Sequence, residues 1–528
     1  MRATISLGTR APCAALFLVA LCLFALAPTG ASAQGAPAAK ETTDTDRLIV
    51  TNVPAQGSRL HRLLARLIGG VKKRVLGMTR SEVWHVPKAK SQRLAERLAK
   101  LGIKVTKLRE DWNHILKRYA HPFTMSRRQQ DVVNHSRAAP ETVGVGLMKA
   151  PQAAIAEYAL TGEGSAGGVA EAVSTIVLPI NDEQSITVQR LAVTSSAEGY
   201  TWNGIVQETG ESAMLMWWKD GRLTGVLGYK GHIYTVVNIG GEAHAVIEVD
   251  PRKMPPDHAA ASSKAAERRT QSNARTQAKE ASLEAVSPGP PAPVIKPFAD
   301  AQRKALEAKN VTIDVMIVYT KKAASRYIRD PADLIALAIA EANQALVNSG
   351  VGNVKLRLVH SQLVDYDEGD AEHFEHLYRM VDGLGPFREV HRLRDEKQAD
   401  IVGMIIDDAS GCGLSTRVGP DSEDAYFVVH HSCAAITISI AHEIGHILGA
   451  RHDRRIDGSN TPFAFGHGYV NGSKWRTMMS YQESCDGCLR IPYWSNPRIL
   501  YKGQPIGTAD ADNARVILEQ AERDSKFR

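Results

Sequence analysis

Cysteine is scarce in this chain: there are six among 528 residues, and none between residues 34 and 411. Across that span no thiol can serve as a metal ligand or disulfide partner. Beyond the N-terminal stretch no apolar run approaches the about 18 residues needed to cross a bilayer. Basic residues are nowhere interleaved with clustered aromatics, which argues against a nucleic-acid-binding face. Charge is nevertheless uneven. From residue 301 onward, 27 Lys plus Arg stand against 31 Asp plus Glu, a net of −4, so the whole-chain +7 leaves +11 on residues 1–300. A basic N-terminal part facing an acidic C-terminal part favours their mutual docking.

What is present begins with an export signal. Arg2 and Arg10 flank the start of an almost wholly apolar run at 11–27, and Ala31-Ser32-Ala33 offers small residues for cleavage. This is a signal peptide over 1–33, with Gln34 as the new N-terminus. Leu21, before Cys22, is not the small residue of a lipoprotein signal, so a secreted protein, extracellular or periplasmic and free of the membrane, is expected. Cys412, Cys433, Cys485 and Cys488 remain after cleavage and read as two disulfides. Three pairings are possible and the spacing does not choose among them; Cys412 with Cys433 and Cys485 with Cys488 is the expectation. A four-cysteine zinc site would need two CxxC knuckles, which the spacing lacks.

Pattern divides the exported chain further. Residues 34–120 alternate short apolar runs, such as Leu48-Ile49-Val50 and Val83-Trp84-His85-Val86, with amphipathic helical runs at 59–68 and 91–101, giving a small α+β module. Residues 120–150 read as polar and irregular. Residues 150–253 hold short β-rich runs separated by turn signals such as Lys219-Asp220-Gly221 and Gly240-Gly241. Residues 254–306, rich in Ala, Ser, Lys, Arg and Pro, read as a basic linker open to processing, with a stiff break at Pro288-Gly289-Pro290-Pro291-Ala292-Pro293. In 307–528, strands are expected at 311–320, 354–364, 401–406 and 426–429, and a helix at 331–348 that Gly350 stops. The acidic run Asp365 to Asp370 fits no EF-hand spacing, which leaves Ca2+ unsupported and a solvated loop as the reading.

The chain is organised around His442-Glu443-Ile444-Gly445-His446-Ile447-Leu448-Gly449-Ala450-Arg451-His452-Asp453, an HExxHxxGxxHD pattern. It lies in an apolar helical run from 434 to 448. Four residues apart, His442 and His446 project from one helix face, and Glu443 sits beside them rather than among them. Gly449 takes a left-handed C-cap at no steric cost, and that turn brings His452 back to the same metal. Three imidazoles with an open fourth position describe a catalytic Zn2+ rather than a structural one.

With Thr477-Met478-Met479-Ser480-Tyr481 downstream, the chain resembles the metzincin metallopeptidases, whose zinc motif is followed by a methionine-containing turn. That resemblance implies a twisted mixed sheet with a zinc helix, Met479 as an apolar floor under the imidazoles, and Tyr481 as a zinc ligand at rest or a donor to the oxyanion. It gives Asp453 a structural role. Gly411-Cys412-Gly413-Leu414, Val428-Val429-His430-His431-Ser432-Cys433 and Arg490-Ile491-Pro492-Tyr493-Trp494-Ser495-Asn496-Pro497 narrow it to the secreted bacterial peptidyl-Asp metalloendopeptidases. The family implies cleavage of proteins or peptides on the amino side of acidic residues. A cation in the pocket beyond the scissile bond would serve that choice, with Arg490 the first candidate and Arg498 the second.

The expected fold is thus α+β: a metzincin-like catalytic domain preceded by an α+β and a β-rich pro-region that acts as an intramolecular inhibitor. Zinc would supply Lewis acidity to a water and to the scissile carbonyl, while Glu443 carries the proton from that water to the leaving amine. Without a pro-region cysteine, latency falls to another ligand; Asp257 or His258 would block the metal, as an aspartate does in astacins. His430 and His431 lack ligand spacing to the motif. Two rival readings are a broad-specificity, reprolysin-like enzyme and a secreted zinc-binding protein without catalysis. The intact Glu443 argues against the latter.

Overall fold

The computed structural model describes residues 125–149, 175–181, 184–195, 199–257, 295–329 and 331–528, and the segments 45–51, 73–76, 81–100, 104–109, 117–118 and 170–173. The expected signal peptide at 1–33, the helical run at 59–68, His258 and the break at 288–293 lie outside the described residues. No helix among them is long and apolar enough to cross a membrane.

Two sheets make up the N-terminal half. The first orders its strands Lys73–Leu76, Ser81–Pro87, Thr45–Thr51, Lys104–Arg109 and Ala170–Val173, with the helix Lys88–Lys100 joining two of them. The second has nine antiparallel strands, from Lys117–Arg118 at one edge to Thr175–Pro179 at the other. Its strands Ser212–Trp218 and Leu223–Tyr229 are apolar on both faces because both faces are covered. Leu215, Trp217 and Leu227 pack with Trp202 and Ile186 in the module's own core, while Met214 and Val226 join the core of the C-terminal half.

Two expectations change here. Residues 120–150 are not irregular: Arg127–Ala138 is a helix with a Ser126–Gln129 capping box, and Thr142–Lys149 is a strand of the nine-stranded sheet. Only Val132 and Val133 of that helix are buried, too few for an apolar period to show in the sequence. The linker expected at 254–306 is built into the fold at both ends. Met254 and Asp257 are buried, and the helix Asp300–Glu307 packs against the C-terminal helix.

The C-terminal half contains β1 (Val311–Thr320), α1 (Ala332–Asn348), β2 (Val354–Val364), α2 (His373–Val381), α3 (Phe387–Glu396), β3 (Ile401–Ile406), β4 (Gly413–Ser415), β5 (Tyr426–His430), α4 (Ser439–Leu448) and α5 (Asn513–Asp524). The sheet runs β2-β1-β3-β5-β4, parallel except for the edge strand β4, which pairs antiparallel with β5. Along β1, Ile313, Val315 and Ile317 pack with α1 and α4, while Met316 and Val318 pack with α2 and α3. A strand covered on both faces has no polar alternation, which is why it reads as one apolar run. The helix expected from 434 begins only at Ser439. Ile438 has a left-handed φ of 59°, and Thr437 donates its hydroxyl to the Cys433 carbonyl, so the preceding residues form a bonded turn instead.

The halves meet through pairs of both signs, not simply basic against acidic. Arg222 pairs with Asp333, yet Asp220 pairs with Arg329 at 3.5 Å, and Arg128 donates to the Tyr327 carbonyl at 2.6 Å.

Candidate active site

Every residue of α4 is buried, so its histidines point into protein rather than solvent. The helix stops because Gly449 adopts a φ of 102°, which lets the Ala450 N–H donate to the Gly445 carbonyl at 2.8 Å. A Cβ on Gly449 would also meet the Phe463 ring at 2.9 Å. The chain then returns His452 to the helix face, and the three imidazoles converge: His452 Nε2 lies 3.2 Å from His442 Nε2 and 2.8 Å from His446 Nε2.

The donor chemistry of this cluster fits a metal ion. His442 Nδ1 donates to the Met478 carbonyl at 3.0 Å and His446 Nδ1 to the Ala450 carbonyl at 2.9 Å. Each neutral ring therefore carries its proton on Nδ1 and presents a lone pair at Nε2. A single proton on His452 could bridge one of the two short Nε2 contacts but not both. A cation at the centre removes the repulsion. An ion held by the Nε2 atoms of His442, His446 and His452 would supply Lewis acidity there.

Glu443 is fully buried beside this cluster. Neither of its oxygens has a partner of full hydrogen-bond geometry. Burial pushes its carboxyl up to about 8, against the pull of Ser415 and of the Arg490 charge. Gly413 makes room for it: a Cβ there would come within 2.4 Å of Glu443 Oε1. Sequence reasoning did not single out Gly413 as a neighbour of the acid, since the two meet only where β4 passes α4.

The segment after the motif closes the site from below. Met479 is fully buried, and a Cβ on Gly445 would meet its sulfur at 2.8 Å and the Trp494 ring at 2.5 Å. The helix thus carries glycine where sulfur and indole press on it. The Tyr481 ring centroid lies 4.2 Å from that of His452 and 6.3 Å from that of His442. Burial, then the nearby Glu443, pushes its phenol well above the usual range. Asp453 ties the two segments together, accepting from Tyr481 N at 3.0 Å, Ser484 Oγ at 2.7 Å and Arg455 N at 3.1 Å. The sulfurs of Cys412 and Cys433 are 2.07 Å apart and those of Cys485 and Cys488 2.04 Å apart. These pairs brace β4 to the turn before α4, and the loop after Tyr481 to itself.

Arg490 reaches the same region. Its guanidinium donates to the Thr437 carbonyl at 2.8 Å, just before α4, and pairs with Asp257 at 2.8 Å. Arg498 is engaged elsewhere: it forms two bonds of 2.6 and 2.7 Å with Asp512 at the start of α5 and lies over the Phe298 ring. Asp257, expected on the metal, has its carboxylate on arginines instead. The acidic run at 365–370 does not converge either. Asp365 pairs with Lys321, Asp367 caps Gly369, and buried Glu368 binds Thr320 and the Asp407 N–H.

A second group, Asp407, His430 and His431, also comes together, beside a cavity of about 450 Å³ between the two halves. It is poorly suited to a cation, because Arg326 already forms a bidentate pair with Asp407 at 2.9 and 2.6 Å. His431 Nε2 sits 3.0 Å from the same carboxylate, and His430 Nδ1 bonds Ser432 Oγ at 2.8 Å, so both histidines have structural partners.

The metallo-peptidase family M12 model matches residues 309–495. A peptidyl-Asp metalloendopeptidase of Xanthomonas campestris pv. campestris is 35% identical over 309 residues, which cover 58% of this chain and 67% of that protein. One from Stenotrophomonas maltophilia is 32% identical over 397 residues, 74% of this chain and 88% of its own length. That match is too long to be confined to the C-terminal half, so the relatives share part of the N-terminal half as well. A histidine cluster suited to a metal, inside a matching M12 domain and with relatives aligned over most of their length, places this chain in the peptidyl-Asp metalloendopeptidase family, as a metalloendopeptidase.

Proposed function

We propose that this chain is a secreted zinc endopeptidase of the metzincin type, made as a zymogen, that cuts on the amino side of Asp or Glu. The observation that carries the acidic preference is the Arg490 guanidinium, 7% exposed, acting electrostatically on Glu443 and holding a carboxylate at 2.8 Å. A charge-assisted bond in so dry a place discriminates strongly between an acidic side chain and its amide.

The chain's own groups divide the work. His442, His446 and His452 hold the zinc, with Nδ1 of the first two fixed by carbonyls. Glu443 takes a proton from the attacking water and returns it to the leaving amine. The neutral Tyr481 phenol, beside His452, donates to the developing oxyanion. Met479 and Trp494 keep the helix face rigid. The N-terminal half serves as the inhibitory pro-region, and the linker 254–306 contains the processing site.

The test is to digest a denatured protein of known sequence with the secreted, processed enzyme, with and without a zinc chelator, and to read the cuts by mass spectrometry. Chelator-sensitive cuts before Asp or Glu are expected. Scattered chelator-sensitive cuts would discard the acidic preference; none from a processed, zinc-loaded chain would discard the peptidase.

A further inference from the structure

The carboxylate of Asp257 is held at three points. Its Oδ1 lies 2.8 Å from Arg490 Nη2, and its Oδ2 lies 3.4 Å from Arg476 Nη2 and accepts from the Gln482 N–H at 3.2 Å. Both arginines are fixed from behind by carbonyls: Arg490 by Thr437, and Arg476 by Ser480 and Cys488. All three side chains are nearly buried, with 6–8% exposure. Two guanidiniums side by side out of water repel each other, and an anion between them offsets that repulsion. Burial and then the Arg490 charge pull the Arg476 guanidinium down to about 10, and Asp257 opposes both. When Asp257 leaves, the two guanidiniums favour another carboxylate in its place.

One backbone bond ties the Asp257 segment to the sheet edge. The Pro256 carbonyl accepts from Cys412 N at 2.7 Å, at the start of the edge strand β4. A peptide pairing with an open sheet edge while one side chain enters a pocket is how extended ligands are read.

We propose that Arg490, Arg476 and the Gln482 N–H form the carboxylate-binding pocket that recognises an acidic substrate side chain, and that in the uncleaved chain Asp257 fills it as a substrate mimic. This rests on the acidic preference proposed above. Latency then comes from an occupied specificity pocket rather than from a ligand on the metal, and Arg476, whose place no motif reveals, becomes a specificity-determining residue.

The test uses the full-length, zinc-loaded chain carrying Glu443→Gln to prevent turnover. Binding of a fluorescein-labelled Gly-Ala-Ala-Asp-Ala-Gly amide, and of its Asn counterpart, is followed by anisotropy. Asp257→Asn, which keeps the shape and loses the charge, should tighten binding of the Asp peptide at least about tenfold, the scale of one charge-assisted pair, and leave the Asn peptide nearly unchanged. Asp257→Glu should keep the Asp peptide out. Adding Arg476→Met to Asp257→Asn should reduce the discrimination between the peptides and adding Arg490→Met as well should erase it, whereas adding Arg498→Ala should leave it intact. If Asp257→Asn leaves binding unchanged while the processed wild-type enzyme still cuts before Asp, the occupancy is wrong and the acidic preference stands. If Arg476→Met leaves the discrimination undiminished, or the loss of both arginines fails to erase it, the pocket is wrongly drawn. If the processed enzyme shows no acidic preference, the functional reading fails on its own measurement and the pocket falls with it.

Discussion

The carbonyl oxygen of Met478 accepts from His442 Nδ1 at 3.0 Å. A backbone atom of the turn that follows the histidine motif thus sets the tautomer of the first histidine in it. The turn and the helix are one device: Met479 presses on Gly445, Asp453 bonds Tyr481, and Arg490 reaches Thr437 at the entrance to α4.

Removal of the proposed zinc should be felt throughout this device. The Nε2 atoms of His442, His446 and His452 converge to 2.8 and 3.2 Å, a geometry that only the folded chain offers to an ion. Chelation should lower the melting temperature, and zinc should restore it in proportion to site occupancy. Equal melting curves with and without chelator would remove the metal from this cluster.

Glu443→Gln should reduce kcat by about 10²-fold or more while the metal content, measured by mass spectrometry, stays at one ion per chain. Coordinated loss of metal and activity would instead make Glu443 a structural partner of the histidines.

Gly413→Ala places a methyl 2.4 Å from Glu443 Oε1. The acid must move, at a cost of about 1–3 kcal/mol in a close-packed site. A fall in kcat larger than any change in KM, with metal retained, is the expected signature. Unchanged kinetics would mean that the acid is held less tightly than its burial implies.

Asp453→Ala leaves Tyr481 N, Ser484 Oγ and Arg455 N without their acceptor. Loss of about 3 kcal/mol in urea unfolding is expected, together with weaker metal retention, because the turn that orients His442 loosens. Full stability in the variant would show that the carboxylate is dispensable to the turn.

Acid should weaken the nine-stranded module. Buried His244 accepts from Leu223 N at 3.0 Å and donates to the Glu242 carbonyl at 2.9 Å, so the fold keeps it neutral. Burial lowers its pKa to about 4, below the usual 6.5. Its contribution is complete above pH 6.5 and is lost as pH falls from there towards 4, by about 3 kcal/mol at most. Urea midpoints at pH 7.5 and 5 should diverge less in His244→Gln than in the parent. Identical pH slopes would remove His244 from the account.

Much of the C-terminal half was legible because its signals are local. The run Val311–Thr320, the helix stopped by Gly350 and the spacing of His442, Glu443, His446, Gly449 and His452 each follow from backbone geometry over a few residues. The helix Arg127–Ala138 was missed because it buries too little to imprint a period. The start of α4 was misplaced because the apolar run continues through a turn that Ile438 breaks with a left-handed φ. Asp257 was singled out from its setting, but its pairing was not, since the sequence cannot show that an acid ahead of the 258–294 segment meets arginines on either side of the methionine turn.

By itself the sequence determined which side chains form the histidine cluster, because one helix and one glycine cap fix their relative directions whatever surrounds them. Only the tertiary structure decided what borders that cluster: Gly413 against Glu443, the Met478 carbonyl on His442, Arg498 committed to Asp512, and Asp257 between Arg490 and Arg476. Those contacts join segments far apart in the chain, and they are set by the packing of the sheet edge, α4 and the turn rather than by any periodicity a single segment carries.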